Sequence, residues 1–382
     1  MTTRRQFLIN TAAAVGGLTL AGCGLAPSTS SSSSDPIVFG VSGPFTGDDA
    51  EYGQTWKKAW ALVLDDVNGK GGVNGRKIQL NYQDSQADPK QSVLVAQKFA
   101  NDPTVLAELG DFASPASMAA SPIYERAKLV QFGFTNSHPK FTLGGDHMFS
   151  TSVTQSVAAV DMAKRSLQEL KGTKQAVLYL DTDWGNTTAG IYINEVKSLG
   201  VDVVLAKNYL STEKDFRSLL LQVRDANPNL VVLHSYYNDA ALIVQQARLV
   251  GITAPIFADG SAYSPQLISL AGNAANGVIL TAEFLPTDPR PNVQAFVKAY
   301  EKRYNTVPDG FAEGAYDALN VLIWATKTGG ATRDGIFNAL RTGKNIPSLQ
   351  YGPFQFGTDR RVAQYKSYLV VVQNGQFASW NG

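Results

Sequence analysis

From residue 37 onward, short β-branched or apolar runs alternate with amphipathic helical stretches, and the alternation occurs twice, over 37–150 and again over 175–282. A chain patterned this way hides its apolar strands by placing helices over both faces of parallel sheets. Strands are predicted at 37–41, 77–82, 105–109, 129–132, 176–180, 202–206, 230–234, 255–258 and 277–280. Helices are predicted between them at 52–67, 90–101, 116–126, 157–170, 187–199, 216–226, 240–250 and 265–271. Asp88-Pro89 and Ser114-Pro115 each set a capping side chain ahead of a proline suited to the first helical position. After Leu285 the pattern turns helical, at 293–304, 311–327 and 332–340, and it ends in strands at 365–373 and 377–380 around Asn374-Gly375. Asn-Gly between apolar strands is a strong hairpin signal. One sheet, then a second, then a return to helices predicts an α/β fold of two lobes joined by several crossings.

The N-terminus reads as an export signal, with Arg4-Arg5, an apolar stretch from Thr11 to Ala21, and then Leu20-Ala21-Gly22-Cys23. That stretch is about half of what spans a bilayer, so it is not a transmembrane helix. Paired arginines favour the twin-arginine (Tat) route, which carries folded cargo. Leu-Ala-Gly-Cys resembles the lipobox of bacterial lipoproteins, whose cysteine is lipidated and becomes residue one. The predicted order is a signal over 1–22, a Ser-rich tether over 23–35 and a globular body beyond. With serines at 28 and 30–34 the tether behaves as a flexible coil, reaching on the order of 20 Å. Cys23 is the sole cysteine, so the body has no intramolecular disulfide and rests on its core. A net charge of +1 lacks the basic footprint of a nucleic-acid binder.

Ligands of open parallel sheets bind beyond the carboxyl ends of the strands. Ser114 follows the third predicted strand, Gly133 and Thr135 follow the fourth, and Trp184 follows the strand ending at Leu180. Tyr236 and Tyr237 follow His234, Asp259 follows Ala258, and Tyr52 follows the first strand and its loop. On facing lobes these residues line a cleft with hydroxyls on one wall and aromatics on the other. Each has a plainer reading as well. Ser114 either presents its hydroxyl and the helix N–H groups to an anion or only caps its own helix. Asp259-Gly260 is either an ordinary turn or the holder of an ammonium group. Trp184 and the tyrosines are either binding surfaces or half-buried packing. Asp48-Asp49 reads as a solvated loop. No nucleophile elbow, Walker loop or dinucleotide turn is present, and His138, His147 and His234 lack metal-ligand spacing. The expectation is a non-enzymatic protein without cofactor or metal.

Several short segments, in order, resemble the branched-chain amino-acid-binding family of periplasmic proteins, the leucine/isoleucine/valine-binding type. They are Val41-Ser42-Gly43-Pro44, the stretch 65–75, Asp84-Ser85-Gln86-Ala87-Asp88-Pro89, Glu213-Lys214-Asp215-Phe216, the stretch 271–277 and Gly314-Ala315-Tyr316-Asp317-Ala318. The resemblance implies the type I periplasmic-binding-protein fold, with lobe one over 36–154 and 284–353, lobe two over 155–283 and 354–382, and three crossing strands as hinge. By position it implies that Ser114 and Thr135 give hydroxyl and N–H to a ligand carboxylate, and that the Gly133 carbonyl takes part in holding the ammonium. Trp184 and Tyr236 would close over the ligand, Tyr52 would lie beside its side chain, and Asp259 would sit within one residue of the family's acidic ammonium partner. Phe134 stands where the aliphatic binders have a small residue, and Trp184 is larger than the usual tyrosine.

The expected protein is therefore an exported, lipid-anchored, monomeric solute-binding component of an ABC importer, at the periplasm or outer face of the cell membrane. It would take a small amino acid or related carboxylate and deliver it to permease subunits. The alternatives are a binder of an amide, urea or aromatic carboxylate, and a sensing ectodomain paired with a membrane receptor. Anchoring at Cys23 predicts that Cys23→Ser moves the protein into the soluble fraction. Mass spectrometry of the mature N-terminus checks it: an unmodified Cys23, or cleavage elsewhere, refutes the anchor.

Overall fold

The computed structural model describes residues 35–380. The signal over 1–22, Cys23 and the tether up to residue 34 lie outside the described residues. The body opens with β1 (Ile37–Gly43), α1 (Ala50–Gly69), β2 (Ile78–Asp84), α2 (Pro89–Asn101), β3 (Val105–Leu109), α3 (Ser114–Arg126), β4 (Val130–Gly133) and β5 (Met148–Ser150). These five strands form one parallel sheet in the order β2-β1-β3-β4-β5. There follow α4 (Gln155–Gln168), β6 (Lys174–Leu180), α5 (Asp183–Ser198), β7 (Asp202–Tyr209), α6 (Arg217–Asp225), β8 (Leu230–His234), α7 (Tyr237–Leu249), β9 (Ile256–Ala258), α8 (Pro265–Ala271) and β10 (Ile279–Ala282). After α9 (Pro291–Tyr304), α10 (Gly310–Gly329) and α11 (Arg333–Thr342), β11 (Tyr368–Gln373) and β12 (Gln376–Ser379) close the chain. The second sheet runs β12-β11-β10-β9-β8-β6-β7, parallel from β7 to β10 and antiparallel at β11 and β12.

Burial follows from this topology. β8 is buried at every position and β1 at all but one, as parallel strands covered on both faces must be. The hairpin between β11 and β12 turns on Asn374 and Gly375, both at positive φ (51° and 73°), the backbone that a two-residue turn of matching twist requires. The C-terminal helices return to the first sheet, where the buried Trp60 of α1 donates its indole N–H to the Ala315 carbonyl of α10 at 2.8 Å. Tyr304 of α9 donates to the Lys58 carbonyl of α1 at 2.8 Å. Among the described residues no helix is long and apolar enough to cross a membrane.

Three features depart from the sequence reading. β5 is absent from the predicted strands, because its apolar part is only Met148 and Phe149 between the polar His147 and Ser150. Ser114 is not the N-cap of α3: Ala113 holds that place in extended conformation, Ser114 is the first helical residue, and no side chain caps the helix. Asp88, by contrast, caps α2 through Lys90 and Gln91. The last crossing also falls later than residue 354. Phe356 packs with Phe132 and Phe149 of the first sheet and Phe354 packs on Phe356, and Arg361 bridges to Ser150, so the chain leaves this sheet only after Val362. Residues 363–367 then cross without joining a ladder.

Arg361 fastens that crossing. It is 3% exposed and donates to the carbonyls of Asn136 (2.9 Å), Ser152 (2.9 Å) and His138 (2.8 Å). Burial pulls its guanidinium down to about 10, so it remains charged at neutral pH, with three carbonyls in place of water. Arg361→Met strands those acceptors, and an unsatisfied buried polar group costs on the order of 1–3 kcal/mol. The variant should lose about 3 kcal/mol of stability in urea denaturation. A midpoint equal to that of the wild type would show that the guanidinium is dispensable.

Candidate ligand-binding site

In each sheet the strand order reverses once, between β1 and β3 and between β6 and β8. Ligands lie at the carboxyl ends of such switch points. The two switch points meet here at one cavity of about 160 Å³. At roughly 30 Å³ per water molecule that is room for about five solvent molecules, hence for a small ligand. One wall carries Phe112, Ser114, Phe134 and Thr135, from the segments after β3 and β4. The other carries Trp184, Tyr236 and Asp259, after β6, β8 and β9. Crossing segments supply Thr151–Val153, Glu283, Phe284 and Tyr365, the end of β10 supplies Thr281 and Ala282, and the start of α10 supplies Phe311 and Glu313.

Main-chain geometry sets the first wall. Gly110 holds φ +134°, and a Cβ there would meet the Ser42 carbonyl oxygen at 2.1 Å. Only glycine lets the chain pass that close and deliver Phe112 and Ser114 to the rim. The Ser114 hydroxyl is not spent on its own helix. It accepts from the His138 N–H at 3.4 Å, which leaves its proton free to donate. The Thr135 hydroxyl donates to the Phe112 carbonyl at 2.9 Å, so its oxygen accepts rather than donates on the cavity side. The expected donation from this hydroxyl to a carboxylate therefore does not fit its geometry.

Aromatic rings continue across the cleft. Trp184 stacks on Tyr236 at 5.1 Å and 28°, Tyr236 meets Phe112 edge-on at 5.0 Å, and Phe112 stacks on Tyr52 at 4.0 Å. Tyr52 itself is 1% exposed and does not line the cavity. Its hydroxyl donates to the Ser261 carbonyl at 2.6 Å and accepts from the Tyr237 N–H at 3.2 Å, tying α1 to the second sheet. Gly133 does not line the cavity either. Its carbonyl already accepts from the Thr151 N–H at 3.0 Å. Further ties across the cleft are Trp184 Nε1 to Ser137 Oγ (3.1 Å), His138 Nε2 to Asp183 (3.2 Å) and Tyr237 Oη to the Asp48 carbonyl (2.8 Å).

Asp259 faces the cavity and is not a solvent-facing turn. One oxygen lies 2.9 Å from Nδ1 of the buried His234 and the other accepts from the Ser261 N–H at 3.0 Å, which fixes the carboxylate at the wall. Residues the sequence reading did not single out also line the site, among them Phe112, Phe311, Glu283 and Glu313. The overlooked signal is that Glu313 and Asp317 stand four apart on the otherwise apolar face of α10. Among the described residues no group of three His, Cys, Asp or Glu side chains is placed to hold a metal ion.

A family model described as periplasmic binding protein matches residues 36–376. The chain belongs to the periplasmic binding protein family. Within it this binding protein is of the leucine/isoleucine/valine-binding type. It is 30% identical over 298 residues to Leu/Ile/Val-binding protein homolog 2 of Brucella abortus, covering 77% of this chain and 79% of the relative. A leucine-binding protein from Thermotoga maritima shares its fold, with TM-score 0.83, 24% identity, and 90% of this chain and 98% of that one covered. So does a solute-binding protein from Rhodopseudomonas palustris in complex with 3,4-dihydroxybenzoic acid, with TM-score 0.81, 23% identity, and 90% and 95% covered.

Beside the cleft, burial raises two acids of this binding protein. Asp49, before α1, is pushed up to about 7 by burial and then by Asp48. Asp239, in the first turn of α7, is also raised to about 7, by burial against the opposing pull of Lys214. A carboxyl raised in the folded state keeps its proton there, so its share of stability is present below the ordinary carboxyl range and is lost as pH rises through about 7. Asp239→Asn should therefore gain stability over the wild type between pH 5 and 8, with a slope of at most about 1.4 kcal/mol per pH unit. Melting both proteins across that range checks it, and a constant difference contradicts the raised carboxyl.

Proposed function

We propose that this chain is the extracytoplasmic solute-binding component of an ABC importer, that it takes a small α-amino acid into the interlobe cavity, and that it hands the ligand to permease subunits. One observation carries the reading. The cavity presents the start of α3 and the Ser114 hydroxyl on one wall and the Asp259 carboxylate, fixed by His234, on another. A helix start with a free hydroxyl complements a carboxylate, and a desolvated ammonium needs an acid. An α-amino acid has both groups on one carbon.

Transport by this route requires the cleft to open. Lobe one comprises the first sheet with α9 to α11, lobe two the second sheet, and the segments 151–154, 283–290 and 363–367 act as the hinge. Export by the twin-arginine signal and lipid attachment at Cys23 hold the body near the membrane that carries the permease. A second reading, an aromatic carboxylate as ligand, is favoured by the rings of Phe112, Phe134, Trp184 and Tyr236 around the cavity.

Calorimetry separates the two. Ser114→Ala should weaken an amino acid or a plain acid alike, by about 1.5–3 kcal/mol, the range for a hydrogen bond to a charged group. Asp259→Asn should weaken only the amino acid, by about 3 kcal/mol or more, because it strands a buried ammonium. An aromatic acid such as 3,4-dihydroxybenzoate that binds wild type and Asp259→Asn equally, with amino acids silent, would establish the second reading instead.

A further inference from the structure

The cavity is lopsided in charge. Among the described residues, those lining it include Asp259, Glu283 and Glu313 and no Lys, Arg or His. Asp259 is accounted for by His234 and by the proposed ammonium. The two glutamates occupy a different corner, where the start of α10 meets the crossing segment after β10. Glu313 is 1% exposed and its Oε1 has no hydrogen-bond partner. Glu283 accepts from Gln350 Nε2 at 3.2 Å. Among the described residues neither forms an ion pair, and the Arg290 charge lowers Glu313 only against the larger effect of burial. Asp317, one turn along α10, is taken up by Ser348 and by the Leu349 N–H. Arg290 is bound to Asp288 through Nε at 3.0 Å and donates to the Gln350 carbonyl at 3.2 Å, and it does not line the cavity.

An unpartnered buried carboxyl is costly, and native structures rarely keep one at a ligand-sized space without a use. We propose that Glu313 and Glu283 form a second subsite for a positively charged nitrogen of the ligand, so that the molecule bound is a basic amino acid rather than an aliphatic one. Tyr351 lines the cavity beside the two glutamates, and aromatic faces favour a cation stripped of water. Burial, then Asp317 and Glu283, raises Glu313 well above the usual carboxyl range, and burial lifts Glu283 to about 7. Burial thus favours the protonated form of both acids, and a ligand cation would favour the ionised one. The inference rests on the amino-acid reading above.

L-lysine and L-norleucine differ only by the terminal amino group, and 1,5-diaminopentane is lysine without its carboxylate. Calorimetry of the mature protein, refolded free of ligand, should show lysine binding at least about tenfold tighter than norleucine, the order expected for a paired desolvated charge. Glu313→Gln should reduce that advantage to about threefold or less, with a thermal melt to show that the variant folds. If it does not fold, Glu283→Gln serves the same comparison. Norleucine binding as tightly as lysine, or a lysine advantage that survives the glutamine variant, overturns the subsite and leaves the amino-acid reading standing. If neither amino acid binds, the diamine decides. Diamine binding lost in Glu313→Gln keeps the subsite and overturns the amino-acid reading, whereas no diamine binding overturns both.

Discussion

A parallel sheet whose strand order reverses leaves its carboxyl edge open at the reversal. Right-handed crossovers force the helices that follow the two central strands to depart over opposite faces. In the first sheet α1 leaves β1 toward α10 while α3 leaves β3 toward α2. Neither covers the gap between β1 and β3. The second sheet repeats the arrangement with α5 after β6 and α7 after β8. Whatever side chains stand just beyond these four strands are therefore presented to a cavity before their chemistry is considered. Phe112, Ser114, Trp184 and Tyr236 owe their place to that constraint.

The cleft is held by interactions that opening need not penalise heavily. Tyr52 satisfies two main-chain groups just beyond β8 and β9 with one hydroxyl, but water can replace both partners once the lobes part. A protein–protein hydrogen bond exchanged for one to water is worth only about 0.5–1.5 kcal/mol net. The stacked rings from Trp184 to Tyr52 add apolar area, while Asp49 and Asp239 resist approach as their protons leave. A small ligand with charge-assisted bonds to both walls is comparable in energy to this balance, which is the condition for a hinge to respond to its ligand.

The strands were legible because parallel strands buried on both faces read as continuous apolar runs, and β3 and β8 coincide with their predicted bounds. The short β5 and the unladdered crossing at 363–367 escaped, since packing on Phe132 and Phe149, not local pattern, decides where the chain runs. In the site, strand-end position was enough to bring Ser114, Phe134, Thr135, Trp184, Tyr236 and Asp259 to one cavity. It was not enough to tell which groups are free. Thr135 and Gly133 are engaged by the Phe112 carbonyl and the Thr151 N–H, and Tyr52 is screened from the cavity by Phe112. Glu283 and Glu313 come from the hinge and from a helix distant in sequence, and only the return of α10 to the first sheet places them beside the strand ends.

The electrostatics of the cavity are asymmetric in a way that bears on selectivity. With no basic side chain in the wall, a carboxylate is met only by N–H groups, a hydroxyl and the partial charge of a helix start, which are fixed dipoles rather than an ion. An ammonium, by contrast, would meet carboxyls: Asp259 at one wall, Glu283 and Glu313 at another. Burial lets the empty site lower its own cost by keeping protons on Glu283 and Glu313, so the repulsion between them is suppressed until a cation arrives. A plain acid finds no cation in this wall and, at Glu283 and Glu313, carboxyls that burial keeps near neutral, so it gains less there than a cation would. Discrimination by charge of this kind is a difference between two affinities, and on the proposed subsite the proton occupancy of two buried glutamates would set its size.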